Sequence, residues 1–406
     1  MRAHYMPPAN SEALPALKLK HGEDRRLAAG HLWVFSNEVD VAQTPLTALQ
    51  PGDLVRVMSD RGKFMGYAYA NPRSLIAARI LSRDEAEPPG RDLLVKRLHT
   101  ALALRRRLAD EPYYRLVFGE SDLLPGLVVD RYGDVLVAEI GTAGMERMKD
   151  DILAALRKVV DPSAVLWKND SGTRELEGLP SYVETAFGTV PETVTVRENG
   201  LVYEAALVGG QKTGWFYDQA RNRQTLLRYV AGARVLDVFC YLGAWAIGAL
   251  KHGATDAVCV DSSAAALAAT ERNAAANDVK LRTIKGDAFD VLADLHDKRE
   301  EFDVVVLDPP AFIKRRKDIP KGEAAYRKLN LLGMQLLGRD GMLVSSSCSY
   351  HLPADDLLAA IARAGRNLNR HVELLETGGQ APDHPIHPAI PETRYLKAFF
   401  CRVVHG

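Results

Sequence analysis

Cysteine is scarce in this chain, and the few that occur are far apart. The four are Cys240, Cys259, Cys348 and Cys401. No two of them show the short CxxC spacing of structural zinc sites, and so scattered a set argues against a disulfide framework. The sequence therefore predicts no metal site and favours a reducing, cytoplasmic compartment.

A net charge, a long apolar run and a leader segment are also missing. Lys and Arg together number 52, as do Asp and Glu, so only local patches can argue for nucleic acid as a partner. No stretch approaches the roughly 18 uninterrupted apolar residues of a membrane span. The opening MRAHYMPPANSEALP lacks the apolar core of a signal peptide. We therefore expect neither a membrane span nor a secretory leader.

The pattern of apolar residues divides the chain into four parts and a linker. Residues 1–16 are rich in Pro, Ala and Ser, which predicts a flexible tail. Residues 17–83 alternate as short strands and predict a small β-rich domain, which the linker 84–90 follows. Residues 91–208 mix helices with strands and predict an α+β middle domain. Within it we expect a hairpin at 126–140, a helix at 145–160 and a second hairpin whose turn is ENG (198–200). In residues 209–406 strands alternate with helices, which predicts a doubly wound α/β domain.

Acidic side chains stand at the ends of successive strands in the α/β domain. They are Asp237, Asp261, Asp287 and Asp308. Each acid alone is as well explained as a helix cap, but several in register indicate a ligand site, because ligands bind beyond the carboxyl ends of such strands. Gly243 opens the helix after the first strand and permits close approach to a ligand. The absence of a GxGxxG motif there argues against a nicotinamide dinucleotide.

Together these residues resemble the motifs of the class I S-adenosylmethionine-dependent methyltransferases. Asp261 matches the acid that holds the ribose in that class, Asp287 matches the adenine contact, and Asp308-Pro309-Pro310 resembles the catalytic fourth motif. The resemblance implies a Rossmann-like domain. It also implies an S-adenosylmethionine site formed by Asp237, Gly243, Asp261, Asp287, Asp308 and Pro309.

Longer stretches resemble one family within this class, the ribosomal RNA large subunit methyltransferase I family. The similar stretches are GGQKTGWFYDQARNR (209–223), LDPPAF (307–312), SCS (347–349), DHP (383–385) and YLKAFFCRV (395–403). GHLWVF (30–35) is similar to the PUA RNA-binding domain of that family. The resemblance covers roughly residues 17 to 406 and implies methylation of C5 of a cytosine in 23S rRNA. The sequence departs from the family around Asp237 and Cys240, and again directly after Cys348.

Methylation of cytosine C5 explains why one cysteine stands at a strand end. C5 is a poor nucleophile until a thiolate adds to C6, so the reaction needs covalent catalysis. Cys348 ends the strand GMLVSSS beside the LDPP segment, which makes it the candidate nucleophile, with Asp308 as the contact for N3 and the exocyclic amine. Cys259 and Cys401 lie inside apolar strands and are expected to be buried. Cys240 also follows a strand and is the competing candidate.

Basic residues cluster directly after the catalytic motif. Five stand within eight positions, namely Lys314, Arg315, Arg316, Lys317 and Lys321. We expect the first four to contact RNA phosphates, and Lys212 is assigned to the RNA on the family pattern. Phe312 is equally well explained as a stacking surface for a flipped base and as core packing. The run 105–107 of three arginines is expected to be a solvated helix end.

Other functions fit parts of this pattern. An enzyme on the same scaffold can methylate C5 of a uracil or of a tRNA cytosine, and it also uses a cysteine. A noncatalytic RNA-binding or ribosome-assembly factor needs neither Asp308 nor Cys348. An N-methyltransferase is disfavoured by Ala311, where that class usually has an aromatic residue after the paired prolines. The expected partner is 23S rRNA or a large-subunit precursor, and the sequence leaves oligomeric state open, a homodimer included.

Overall fold

A computed structural model of the chain describes residues 14–207 and 213–405. The predicted tail lies mostly outside these residues, as does Lys212, and the first strand already begins at Ala16. The chain divides into two compact units. Unit 1 comprises Met1–Val194, Ala206–Trp215 and Asp383–Thr393, and unit 2 comprises Thr195–Ala205, Phe216–Pro382 and Arg394–Gly406. The predicted domain boundaries at 83, 91 and 208 stay predictions.

The described residues form nineteen strands and eleven α-helices. The strands are β1 (Ala16–Lys18), β2 (Trp33–Phe35), β3 (Leu54–Met58), β4 (Phe64–Ala70), β5 (Ile76–Ser82), β6 (Tyr113–Phe118), β7 (Leu127–Tyr132), β8 (Val135–Ile140), β9 (Ala164–Asn169), β10 (Tyr182–Gly188), β11 (Thr193–Glu198), β12 (Leu201–Ala206), β13 (Arg234–Val238), β14 (Asp256–Asp261), β15 (Arg282–Lys285), β16 (Phe302–Leu307), β17 (Leu337–Ser347), β18 (Arg370–Gly378) and β19 (Lys397–His405).

The helices are α1 (Arg25–Ala28), α2 (Arg91–Leu108), α3 (Ala143–Arg147), α4 (Lys149–Val160), α5 (Thr173–Leu176), α6 (Ala220–Leu226), α7 (Ala244–Lys251), α8 (Ala264–Ala276), α9 (Ala288–Asp297), α10 (Ile319–Gln335) and α11 (Ala354–Asn367). No helix in the described ranges is long and apolar enough to cross a membrane.

Unit 1 contains two five-stranded sheets. The first has the order β1-β3-β4-β5-β2, and its strands include the alternating segments that the sequence predicted between 17 and 83. The second has the order β10-β9-β8-β7-β6, with β8 and β9 parallel and α4 connecting them. The predicted hairpin at 126–140 is confirmed as β7 and β8. The predicted helix at 145–160 is divided at Met148 into α3 and α4.

The expectation that the arginine run at the end of α2 is a solvated face is wrong for Arg105. Its side chain is 0% exposed and donates to both carboxylate oxygens of Asp122, at 2.5 and 2.7 Å. It also donates to the carbonyl oxygens of Arg115 (2.9 Å) and Asp383 (2.7 Å). A buried guanidinium needs partners for its donors, and this set supplies four of the five. The next two arginines of the run are exposed.

The strands β11 and β12 form a separate hairpin. Asn199 (φ 52°) and Gly200 (φ 75°) occupy its turn, as the sequence ENG predicted, because a two-residue turn of this type needs two left-handed residues. Within unit 2, Asn273 and Asn277 of α8 accept hydrogen bonds from two backbone amides of β12, at 2.8 and 3.1 Å. These side chains hold β12 against the helix.

Unit 2 is built on a seven-stranded sheet with the order β15-β14-β13-β16-β17-β19-β18. The first five strands of that order are parallel, whereas β19 runs antiparallel between β17 and β18. Clusters of buried apolar side chains cover both faces, which accounts for the nearly continuous apolar run of β16. The predicted α/β class is confirmed. Strand order reverses between β13 and β16, the place where ligands of such sheets bind.

Candidate active site

A strained loop follows β13 at the switch in strand order. Three of its residues have left-handed backbone conformations: Phe239 (φ 65°), Tyr241 (φ 50°) and Gly243 (φ 77°). The first two are unusual, because a side chain with positive φ costs energy and persists only where the surroundings enforce it. The amides of Phe239 and Cys240 both donate to the carbonyl of Val260 on β14, at 2.9 and 3.1 Å. The loop is therefore fixed where α7 begins.

Asp237 lies beneath this loop, on β13, and is completely buried. Its Oδ2 accepts the backbone N–H of Ala246 on α7 at 3.2 Å, while Oδ1 has no hydrogen-bond partner among the described residues. Burial raises the pKa of this carboxyl to about 8, and the charges of Asp308 and Asp261 act in the same direction. An incoming cation would favour its ionised form.

The next two predicted acids differ in how they are used. Asp261 ends β14, and its two carboxylate oxygens accept the backbone N–H groups of Tyr241 (3.1 Å) and Ser263 (2.8 Å). Each oxygen retains a second lone pair, which a ribose hydroxyl can use. Asp287 is exposed and caps α9 by accepting from the N–H of Phe289 at 2.9 Å. Asp287 is thus a helix cap, the alternative that the sequence offered for each acid. An adenine contact would use the carboxylate lone pairs that do not accept from Phe289.

Asp308 follows β16 and has two side-chain donors. Gln219 donates to its Oδ1 at 2.7 Å, and the indole N–H of Trp245 donates to Oδ2 at 3.2 Å. The Gln219 amide is itself oriented by Asn222, which donates to its oxygen at 2.6 Å. Burial raises the pKa of the Asp308 carboxyl to about 6 despite these donors, and the neighbouring Asp218 adds to the increase. Asp308 therefore changes protonation state near neutral pH.

These groups fit the cofactor that the sequence motifs imply. The charges of Asp308 and Asp261 raise the pKa of Asp237, whose buried Oδ1 has no hydrogen-bond partner among the described residues. S-adenosylmethionine carries an ammonium and a sulfonium group as well as two ribose hydroxyls. Its positive charges and donors match this concentration of acceptors. Gly243 and Pro309 adjoin the same strand ends, Pro309 being buried in the chain after β16.

Cys348 stands at the same edge of the sheet, directly after β17. Leu307 on β16 lies opposite Ser345 on β17, so Asp308 and Cys348 follow neighbouring parallel strands. Cys348 is half-buried, whereas the other three cysteines are buried. Cys259 and Cys401 are therefore inside strands as predicted, and the thiol of the competitor Cys240 contacts that of Cys259.

The residues on either side of Cys348 are held by one tyrosine. The hydroxyl of Tyr326 on α10 lies 2.9 Å from both Ser347 Oγ and Ser349 Oγ. The amide of Ser349 also donates to Ser347 Oγ at 3.1 Å, and Ser349 Oγ accepts the amide of Ile313 at 3.2 Å. Burial raises the pKa of Tyr326, so its hydroxyl stays protonated at neutral pH. This network fixes the backbone that carries the thiol.

Lys397 completes the surroundings of Cys348. It begins β19 and lies opposite Ser347 in the antiparallel pairing with β17. Its Nζ donates to the carbonyl oxygens of Ser349 (2.6 Å) and Tyr395 (3.0 Å). Burial lowers the pKa of this amine to about 8, and the charge of Cys348 acts in the opposite direction.

The predicted RNA-contacting residues occupy two different settings. The ring of Phe312 is half-buried and packs 4.8 Å from Tyr326 and 6.1 Å from Phe289, measured between ring centroids. This packing favours the core alternative for Phe312. By contrast, the basic segment is exposed at all four positions, which are Lys314, Arg315, Arg316 and Lys317.

Four side chains of the site were not singled out from the sequence: Gln219, Trp245, Tyr326 and Lys397. Gln219 lies in the marked segment GGQKTGWFYDQARNR, Lys397 lies in YLKAFFCRV, and Trp245 lies two residues after Gly243. Their positions within those segments carried no chemical signal. Nothing around Tyr326 distinguished it from an ordinary core residue of an amphipathic helix.

Two family models match the chain. One is described as a PUA-like domain and matches residues 17–83. The other is described as an S-adenosylmethionine-dependent methyltransferase and matches residues 163–400, more than half of the chain. The ribosomal RNA large subunit methyltransferase I of Photobacterium profundum is 36% identical over 395 residues, which cover 96% of this chain and 99% of that protein. The protein of the same name from Shewanella denitrificans is 36% identical over 394 residues, covering 95% and 99%.

Solved structures agree on the fold. A candidate SAM-dependent methyltransferase from Streptococcus mutans superposes with a TM-score of 0.81 at 22% identity, covering 96% of this chain and all of that one. Another candidate methyltransferase, complexed with SAH, gives a TM-score of 0.82 at 22% identity over the same shares. At this identity the likeness establishes the fold alone. The extent of the sequence match with the curated relatives shows more: the chain is an S-adenosylmethionine-dependent methyltransferase and belongs to the ribosomal RNA large subunit methyltransferase I family.

Proposed function

We propose that this enzyme methylates C5 of a cytosine in 23S rRNA through a covalent bond between Cys348 and C6 of the base. The observation that carries the proposal is the placement of a half-buried thiol and a half-buried carboxyl after neighbouring strands β17 and β16. The names of the curated relatives support ribosomal RNA of the large subunit as the substrate class. The PUA-like match at 17–83 supports an RNA partner.

The chemistry needs a thiolate at C6 before C5 can react. Cys348 Sγ forms a bond to C6, and the electrons of the C5–C6 double bond move toward C5 and N3. S-adenosylmethionine, when bound, supplies an electrophilic methyl group. After transfer, water or another base at the site takes the C5 proton, which restores the double bond and expels the Cys348 thiolate. The hydroxyl network of Tyr326 keeps the thiol in place through both steps.

Asp308 serves the base rather than the sulfur in this proposal. Its carboxyl, with a pKa raised to about 6 by burial, can share a proton with N3 and accept from the exocyclic amine. A proton at N3 stabilises the negative charge that sulfur addition places on the ring. Gln219 and Trp245 keep the carboxyl oriented while it does so.

The RNA must present its target base unstacked, because C6 is inaccessible inside a helix. We assign phosphate contacts to the exposed basic segment 314–317, which follows the catalytic motif directly. Phe312 packs against Tyr326. In this proposal it supports the basic segment beside the base pocket and does not stack on the flipped base. Lys212 as an RNA contact and the homodimer remain predictions.

The test identifies both the methylated base and the covalent bond between the enzyme and that base. Total rRNA from a deletion strain is incubated with the enzyme and methyl-labelled cofactor, and the labelled nucleoside is identified by mass spectrometry. We expect 5-methylcytidine in 23S rRNA. RNA with 5-fluorocytosine at that position is expected to trap an adduct on the peptide containing Cys348, because fluorine blocks the final elimination. Label in uridine or tRNA, or on a ring nitrogen, would contradict the proposal, as would binding of S-adenosylmethionine without any transfer.

A further inference from the structure

Lys397 is tied to the backbone on both sides of the candidate nucleophile. Its own residue pairs with Ser347 across the β17–β19 register, and its Nζ donates to the carbonyl of Ser349 at 2.6 Å. Cys348 is the residue between those two serines. A second hydrogen bond, to the carbonyl of Tyr395 at 3.0 Å, fixes the amine further. The amine is thus restrained next to Cys348 by three points of the chain.

This amine lacks the usual partner of a half-buried lysine. No carboxylate of the described residues lies within 4.0 Å of its Nζ, and both hydrogen bonds go to neutral carbonyls. The charge that acts on it is that of the Cys348 thiol. Desolvating an ammonium is costly unless an anion accompanies it. The site therefore favours either a neutral amine beside a neutral thiol or an ammonium beside a thiolate.

The other titratable groups near Cys348 are two tyrosines and a histidine. Tyr326 faces it from α10, and its hydroxyl contacts Ser347 and Ser349 and stays protonated at neutral pH. Tyr350 and His351 follow Cys348 in the chain, and their rings contact each other at 5.3 Å. Of these groups, Lys397 is the amine that donates a hydrogen bond to the backbone directly after Cys348.

We propose that Lys397 activates Cys348 by taking the proton of its thiol and holding the resulting thiolate as an ammonium. The inference rests on the proposed function, in which Cys348 is the nucleophile. The Sγ–H bond breaks and an N–H bond forms through one bridging water, so the pair remains neutral overall. Elimination at the end of the reaction returns a thiolate, and the ammonium keeps its proton for the next cycle. Lys397 is a positioning residue that acts through Cys348.

The first test measures the thiol rather than the methylation. The rate of alkylation of Cys348 by iodoacetamide is followed by peptide mass spectrometry between pH 5 and 10 in the wild type and in Lys397→Met. We expect the midpoint of the profile to rise by about 1–2 pH units in the variant, as loss of a nearby opposite charge predicts. The matched control is Lys298→Met, which removes an exposed lysine from the end of α9 and is expected to leave the profile unchanged. Identical midpoints in wild type and Lys397→Met would overturn the proposal.

The second test measures the effect of the Cys348 thiol on the protonation of Lys397, in a variant that keeps Lys397 and its hydrogen bonds. The pH dependence of acetylation of Lys397 is compared between the wild type and Cys348→Ser. Because the thiolate favours the ammonium, we expect the Lys397 midpoint to fall by about one unit in Cys348→Ser. An unchanged midpoint would contradict the inference. Neither test involves RNA or methyl transfer, so an enzyme with a different target base would refute the proposed function and leave these profiles as predicted.

Discussion

The carboxyl edge of the seven-stranded sheet has two halves that are built in different ways. In the acidic half, each functional group lies at or near the end of its own parallel strand, as Asp261 ends β14 and Asp308 follows β16. In the thiol half, Cys348 directly follows β17 and acquires its neighbour Lys397 only because β17 pairs antiparallel with β19, a strand that begins far along the chain. The first half is a set of local motifs, and the second is a product of tertiary structure. If the two halves are independent, a substitution in one half should leave the properties of the other half unchanged.

The sharpest separation comes from the nucleophile. Cys348→Ala is expected to lower the rate of methyl transfer to rRNA about a thousandfold or more, since the proposed chemistry has no other group to add to C6. Binding of SAH, measured by calorimetry, should stay unchanged, because the acidic half does not involve the thiol.

Cys240→Ala is the matched control for that experiment. Cys240 also follows a strand of the sheet, but its thiol is buried against Cys259 and its pKa is raised. We expect nearly normal turnover from this variant. Full activity of Cys348→Ala together with loss in Cys240→Ala would reverse the assignment of the nucleophile.

Asp308 joins the halves, and its substitution should show which half it serves. Asp308→Asn removes the proton that the carboxyl shares with N3 of the base, and we expect kcat to fall about a hundredfold. The alkylation profile of Cys348 should be unaffected, because Asp308 acts on the base. Steady-state kinetics with rRNA fragments gives kcat and KM separately. A large rise in KM for S-adenosylmethionine with kcat unchanged would assign Asp308 to the cofactor alone.

The basic segment should affect RNA binding without affecting either half of the edge. Replacing Lys314, Arg315, Arg316 and Lys317 with glutamine is expected to weaken rRNA binding about tenfold. The plot of log affinity against log salt should become shallower by about 0.7 for each phosphate that the variant no longer neutralises. Filter binding at several salt concentrations provides both quantities.

Arg106 and Arg107 supply the control for this variant. Both are exposed at the end of α2, whereas the neighbouring Arg105 is buried and structural. Their replacement with glutamine should leave the salt dependence nearly unchanged. If both variants lowered the salt dependence of RNA binding equally, the location of the basic segment beside the catalytic motif would not matter for binding.

The smallest expected effect concerns Asp237 and the stability of the acidic half. Its folded pKa, about 8, lies above the unfolded value, so its contribution to stability is present at low pH and is lost as pH rises through 8. Asp237→Asn removes this titration. Between pH 5 and 8.5 the Tm of the wild type should fall relative to that of the variant by about 5 °C. Parallel curves in calorimetry would mean that the carboxyl is ionised throughout.

Sequence was a good guide to the acidic half for a physical reason. Parallel strands alternate with helices, so the carboxyl ends of all strands meet at one edge, and a residue such as Asp261 can be placed from its own segment. The strand alternation, the ENG hairpin and the two buried strand cysteines were predictable in the same way. Helix periodicity did not reveal the break at Met148, because apolar spacing continues across it.

The side chains around Cys348 could not be predicted from the sequence. The register that brings Lys397 opposite Ser347 depends on the position of β19 between two other strands. Tyr326 reaches both serines beside Cys348 because of how α10 packs on the sheet. Arg105 was misjudged for a similar reason, since its partners Asp122 and Asp383 are distant in sequence.

The place of β19 in the sheet sets an order of events during synthesis. It occupies an interior position, yet it follows every other strand of that sheet in the chain. Until residues 397–405 have left the ribosome, β18 has no neighbour to pair with and β17 has an open edge. A nascent chain can therefore assemble the strands that carry Asp237, Asp261 and Asp308 while the surroundings of Cys348 are still incomplete. The surroundings of the candidate nucleophile are thus completed last.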